Sequence, residues 1–253
     1  MDLPDGPTSC GPPAQLTDKT NMAIPRLIHQ TAKTRELTPQ CELYQRKLLS
    51  LHPDWQYHLW TDEDNLGFVS REFPDFLETF VSLPKPIMRA DVIRYLLMYK
   101  LGGLYLDTDY EMLRPFDLLN FEAVLPWESC VSKGEGILCN SIFASVPGHP
   151  LFKMMIDDLK ANSPLGPNLN VLQATGPEFV TRIYRRAAGL NLPIYMAPKE
   201  LFSPHTPRNE REYRAIIRDG VAYGIHHCHG SWREWTLLQR AKMAVGGVYR
   251  RFT

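Results

Sequence analysis

Apolar and polar positions along this chain follow two rhythms. Between Pro39 and Leu51, Leu43, Lys47 and Leu48 recur at helical spacing, which predicts a helix over that stretch. Trp55-Gln56-Tyr57-His58-Leu59-Trp60 instead alternates aromatic with polar residues and ends at Thr61-Asp62, the two-residue period of a strand. Ahead of both, Ile24-Pro25-Arg26-Leu27-Ile28-His29-Gln30 is a short apolar run where ordered structure is expected to begin. A second unit is sharper. Pro86 to Leu101 reads as a helix opened by proline and stopped by Gly102-Gly103. Leu104 to Asp109 then reads as a buried strand. Farther on, Pro147-Gly148-His149-Pro150 introduces a helix through Leu159, and Gly176-Pro177 another through Ala188. Tyr223 to His227 reads as a late strand. Strand, helix, strand in repetition predicts an α/β fold with a mainly parallel central sheet.

Composition sets the boundaries of that picture. Residues 1–22 hold Pro4, Pro7, Pro12 and Pro13 and little that is apolar, so they are expected to form a disordered leader. No internal repeat or second linker follows, and one domain over residues 23–235 is the simplest organisation. Lys+Arg and Asp+Glu are 28 each among 253 residues, a balance that argues against nucleic acid as the main partner. The five cysteines form no CxxC pair, unlike a disulfide framework or a zinc knuckle. There is no N-x-Ser/Thr acceptor, and no run approaches the roughly 18 apolar residues of a membrane span. The opening Met1-Asp2-Leu3-Pro4-Asp5-Gly6-Pro7 is acidic and proline-rich rather than basic and then apolar. The expectation is a soluble protein of a reducing, cytoplasmic compartment.

Chemistry concentrates in three places. If Leu104 to Asp109 is a strand, Tyr105, Asp107 and Asp109 share one face. Two carboxylates on one face repel unless something positive sits between them, and a divalent cation carrying substrate phosphate answers that need. A pair of solvated surface aspartates is the plainer alternative, but this pair ends an apolar strand, where ligand sites of open α/β sheets lie. Upstream, Arg89, Asp91 and Arg94 interrupt a mostly apolar helix, with Asp91 and Arg94 three apart on one face beside Tyr95. Either a surface ion pair or a buried polar cluster facing substrate fits. Downstream, adjacent His226 and His227 point to opposite faces of a strand, so one of them can complete an ion held by the aspartates. Ser231 and Trp232 can donate to diphosphate oxygens.

Taken in order, Ile24 to Gln30, Trp60-Thr61-Asp62, Arg89-Ala90-Asp91-x-x-Arg94-Tyr95, Gly102-Gly103-Leu104-Tyr105-Leu106-Asp107-Thr108-Asp109, Thr175-Gly176-Pro177 and His226-His227-x-x-x-Ser231-Trp232 resemble glycosyltransferase family 32. The helix, double glycine, strand and DxD block is also similar to the glucosyltransferase domains of large clostridial toxins. The resemblance spans about residues 24–235 and implies a GT-A fold that transfers a hexose with retention of configuration. It implies Mn²⁺ or Mg²⁺ on Asp107, Asp109 and His226, and a UDP- or GDP-sugar donor. By the same likeness Asp91 and Arg94 hold the donor sugar and Tyr105 lines the pocket. His29, Gln30 and Trp60 contact the nucleoside, and Ser231 and Trp232 bracket the leaving diphosphate. Cys228 departs from the tryptophan that many relatives carry after the paired histidines.

The implied acceptor is a hydroxyl of a glycan, a lipid-linked molecule or a protein. Front-face attack by that hydroxyl is favoured, because no residue's context marks a protein nucleophile. Two rival readings are a haloacid-dehalogenase-like phosphohydrolase, whose DxD usually opens the domain, and an inactive sugar-nucleotide-binding module. Finally, residues 236–253 read as a basic amphipathic helix with Leu237, Leu238, Ala241 and Val245 on its apolar side. It would suit peripheral contact with an anionic membrane, or docking on the core with a solvated basic face.

Overall fold

The computed structural model describes residues 23–130, 136–164, 166, 169–204, 207 and 209–229. The expected leader at 1–22, the terminal helix at 236–253, and Ser231 and Trp232 lie outside the described residues.

The chain begins with strand β1 (Leu27–Thr31), helix α1 (Pro39–Leu51) and strand β2 (Gln56–Trp60), as the periodicities predict. Thr38 caps α1 by accepting from the Cys41 amide. Thr61 opens helix α2 (Asp62–Glu72) through a reciprocal capping box with Asp64. After the short α3 (Leu77–Ser82) comes α4 (Pro86–Leu101), with proline in its first turn and Gly102 as its cap. Strands β3 (Gly103–Leu106), β4 (Tyr110–Met112), β5 (Ala123–Cys130), β6 (Gly136–Leu138) and β7 (Ile142–Ser145) follow. The rest is α5 (Pro150–Ala161), α6 (Val171–Ala174), α7 (Pro177–Ala187), β8 (Ile194–Ala197), α8 (Lys199–Phe202), α9 (Glu210–Asp219) and β9 (Gly224–His226).

The central sheet runs β2-β1-β3-β7-β5-β6, with β8 on the other edge of β5. β1 is parallel to β2 and β3, and β8 to β5, while β7 and β6 run against their neighbours. Five strands therefore point one way and two the other, a mixed sheet that is mostly parallel in direction. A separate two-stranded ribbon pairs β4 with β9.

Both faces of the sheet are covered. One face packs Tyr105, Phe143 and Leu125 against α4, α5 and α7, burying Leu96, Phe152 and Phe179 completely. The other packs Leu104, Leu106 and Val124 beneath Leu48, Phe202 and Tyr223. Each fully buried side chain of this size contributes about 1.5–3 kcal/mol. The turn from α4 into β3 is the tightest point. Gly102 and Gly103 have φ of 65° and 96°, and a Cβ on Gly103 would stand 2.3 Å from the Leu27 carbonyl oxygen. Only glycine lets β1 and β3 approach this closely with that backbone.

The structure corrects one expectation here. The strand stops at Leu106 instead of running to Asp109. The Asp107 amide makes a last bond to the Ser141 carbonyl (2.8 Å), and the Tyr110 amide then closes a turn on the Asp107 carbonyl (3.0 Å). Asp107 and Asp109 thus meet across a turn, not along one strand face.

Candidate active site

The turn at the end of β3 presents the two aspartates, and the β4–β9 ribbon brings a histidine to them from 117 positions later in the case of Asp109. In the ribbon His226 pairs with Tyr110, and the His227 amide donates to the Asp109 carbonyl (3.0 Å). His226 Nε2 consequently lies 3.3 Å from Asp109 Oδ1 and 4.0 Å from Asp107 Oδ2. One donor atom from each of Asp107, Asp109 and His226 can be chosen so that all lie within 4.8 Å of one another. The His229 amide donates to Asp109 Oδ2 (2.8 Å), and Cys228, with a left-handed φ of 50°, sets its Sγ 3.4 Å from His226 Nδ1.

Electrostatics fit a cation between these groups. Burial alone would raise the Asp109 carboxyl, but His226 and the His229 amide hold it down at about 2. Burial alone would lower the His226 imidazole, yet its contacts to Asp109, Cys228 and Asp107 carry it up to about 12. The three groups thus favour positive charge at their common point. Two carboxylate oxygens and one imidazole nitrogen form a donor set suited to Mn²⁺ or Mg²⁺, which fill their other positions with water or phosphate.

Behind Asp107 lies a buried polar cluster. Arg94 Nη2 is 3.2 Å from Asp91 Oδ1, and Nη1 is 3.3 Å from Asp107 Oδ1. Arg94 also donates to the Ala90 and Asn140 carbonyls, and its guanidinium lies 4.9 Å over the Tyr105 ring. Asp91 accepts from Asn140 Nδ2 (3.1 Å) and Thr175 Oγ1 (2.8 Å). Burial pushes the Asp91 carboxyl up to about 6 against the pull of Arg94 and Thr175. It also raises Asp107, again opposed by Arg94. Of the two open readings for Asp91 and Arg94, the buried cluster is the one observed. Arg89 stands apart from it and donates to the Leu83 carbonyl (2.9 Å).

Four further site residues, His29, Gln30, Trp60 and Tyr105, have their polar atoms engaged by protein partners. His29 and Gln30 are 0% and 1% exposed, and their side-chain polar atoms meet protein partners rather than a nucleoside. His29 donates to the Gly102 carbonyl (3.0 Å) and accepts from Trp60 Nε1 (3.0 Å), so the Trp60 N–H is engaged as well. Burial lowers the His29 imidazole to about 4, which keeps it neutral for this bridge. Gln30 accepts from the Tyr57 hydroxyl (2.9 Å) and donates to the Asp107 carbonyl (3.1 Å), holding the turn from below. Tyr105 is fully buried and donates to Asp107 Oδ1 (2.8 Å) instead of lining an open pocket.

A second cluster escaped the sequence reading. Glu111 accepts from Lys47 Nζ (2.8 Å), Tyr213 OH (2.7 Å) and His227 Nε2 (3.0 Å), and Tyr44 stacks on His227 at 4.7 Å. Burial would raise Glu111, but these donors hold it down at about 2. His227 is thereby fixed away from the aspartates while its neighbour His226 faces them. Asn140 and Ser141 were missed too. The signal for all of these is only spatial, because each comes from an element far along the chain.

Two aspartates on a turn at the end of a sheet strand are thus faced by a histidine from a late ribbon. A solved structure, the PaToxG glycosyltransferase, shares this fold with a TM-score of 0.50 at 16% identity, over 89% of this chain and 88% of that one. Residues 38–126 match the family described as a glycosyltransferase sugar-binding region containing a DXD motif. Inositol phosphoceramide mannosyltransferase 3 of Schizosaccharomyces pombe is 36% identical over 239 residues, 88% of this chain and 64% of that protein. Mannosyl phosphorylinositol ceramide synthase SUR1 of Saccharomyces cerevisiae is 37% identical over 173 residues, 67% of this chain and 44% of its own length. The chain thus spans less than two thirds of either relative. Among the described residues, no helix is long and apolar enough to cross a membrane.

Proposed function

We propose that this protein is a metal-dependent, retaining glycosyltransferase that moves a hexose from a UDP- or GDP-sugar to an acceptor hydroxyl. The convergence of Asp107, Asp109 and His226 within 4.8 Å carries this reading. The two relatives are named for mannosyl transfer to inositol phosphoceramide, which supports mannose as the sugar and a lipid-linked inositol phosphate as the acceptor.

Cleavage between the anomeric carbon and phosphate builds negative charge on the departing diphosphate. A divalent ion on Asp107, Asp109 and His226 would supply charge stabilisation there without proton transfer. An imidazole ligates an ion in its neutral form, so His226 would bind it deprotonated. Arg94 opposes the upward pull of burial on Asp107 and aims it, and Tyr105 and Gln30 fix its carboxyl and carbonyl. Asp91 and Arg94, buried and engaged with Asn140, Thr175 and each other, back Asp107 from behind, and their contact with the donor sugar is assigned on the resemblance. Ser231 and Trp232 are assigned to the diphosphate on the resemblance alone. The acceptor hydroxyl attacks from the face of the leaving group.

The test is product analysis with Mn²⁺ and with chelator. A glycosyltransferase releases nucleoside diphosphate from its donor only with the ion, a phosphohydrolase releases phosphate, and an inactive module releases neither. In parallel, Asp109→Ala should abolish the Mn²⁺-dependent thermal shift while leaving the circular dichroism spectrum native. An undiminished shift in that variant would remove the assignment.

A further inference from the structure

Glu128 on β5 has no part in the site as described so far. Opposite it the strands slip: Trp127 pairs with Leu138 and Ser129 with Ile137, so Glu128 is the extra residue of a β-bulge. A bulge re-aims the side chain it carries, and bulges concentrate beside active sites. Among the described residues, the Glu128 carboxyl feels the charges of Asp107 and His226. It acts as well on the buried Cys139 thiol, whose Sγ is 2.9 Å from the hydroxyl of Ser141, the residue that receives the Asp107 amide. Glu128 is nevertheless not among the three donors that converge on a common point. Nor does its carboxylate hydrogen-bond or ion-pair with any described residue.

A half-buried carboxylate beside a second carboxylate is costly unless a donor meets it. Sugar and polyol hydroxyls are such donors, and they are what this end of the sheet would receive. We propose that Glu128 accepts a hydrogen bond from a substrate hydroxyl, belonging either to the donor sugar or to a polyol acceptor. The assignment rests on the glycosyltransferase reading of the same site.

Three measurements on wild type, Glu128→Ala and Glu128→Gln test it: Mn²⁺-dependent binding of GDP, binding of GDP-mannose, and transfer to inositol phosphoceramide in detergent micelles. UDP and UDP-glucose serve in the same way if the wild type prefers them. A lost hydrogen bond to a charged group predicts at least about tenfold weaker handling of one substrate in Glu128→Ala. GDP, which has no hexose, should bind unchanged. Weaker GDP-mannose binding places the hydroxyl on the donor. A raised acceptor KM with unchanged donor binding places it on the acceptor. Glu128→Gln keeps the shape and one acceptor oxygen, so it should recover part of the loss. Wild-type donor affinity and acceptor KM in both variants, with the wild type active, would overturn the proposal alone. A wild type that neither binds nor consumes any nucleotide sugar would overturn the glycosyltransferase reading and this assignment with it.

Discussion

His149 shows how one residue ties stability to pH. It is 1% exposed, Nδ1 accepts from the Leu151 amide to cap α5, and Nε2 has no partner among the described residues. Burial lowers this imidazole from 6.5 to about 4. Between those values the unfolded chain binds a proton that the folded chain refuses, so stability falls as pH falls. From about pH 6.5 to about pH 5, this one group should remove up to about 2 kcal/mol. His149→Asn keeps a capping side chain and loses the titration, so urea unfolding of the variant should vary less over that interval. Equal slopes for the two proteins would contradict this. The sequence shows His149 only as part of a helix opening, because burial is not written in its neighbours. The meeting of Asp107 and Asp109 with a late histidine was legible from spacing and strand ends, whereas His226 rather than His227 came from the family resemblance. His29, Gln30 and Tyr105 were placed near the right turn but on the wrong side of the surface, since a lone sequence does not say which polar groups satisfy one another. Glu111 and Asn140 carry no local pattern at all.

Elements with strong punctuation were readable, and those without it were not. The proline and double glycine around α4 mark its limits, and the residues between them are apolar enough to require burial. β6 and β7 are three and four residues long, and β5 contains Pro126 and a bulge, so no regular alternation announces them. The end of β3 was misplaced for a related reason: Asp107 and Asp109 keep the alternation going after the ladder has stopped. The double glycine itself gives an element-level prediction. Gly103→Ala puts a methyl group 2.3 Å from the Leu27 carbonyl oxygen at a φ of 96°. Strain and forced separation of β1 from β3 should cost at least about 2 kcal/mol, read as a lower denaturant midpoint. A variant as stable as the wild type would show that β1 can move away freely.

Across the whole molecule, the site joins parts of the chain that are far apart in sequence. β4 and β9 pair with each other but not with the central sheet, and Glu111 fastens this ribbon to α1 through Lys47 and to α9 through Tyr213. Mn²⁺ on Asp107, Asp109 and His226 would lock the ribbon to the sheet. At about a hundredfold excess over its Kd, the ion should add about 2.7 kcal/mol to stability. Hydrogen exchange should show the gain at the amides of Tyr110–Met112 and Gly224–His226, and Asp109→Asn should erase it. Exchange that ignores the ion would mean the ribbon is already fixed without it. The segment shared most plainly with relatives, residues 38–126, contains both aspartates and stops a hundred positions short of the histidine. If an ion sits on Asp107, Asp109 and His226 as proposed, a polypeptide cut at that boundary would inherit only part of the clasp, and grafting the segment between homologues would transplant the signature without the grip.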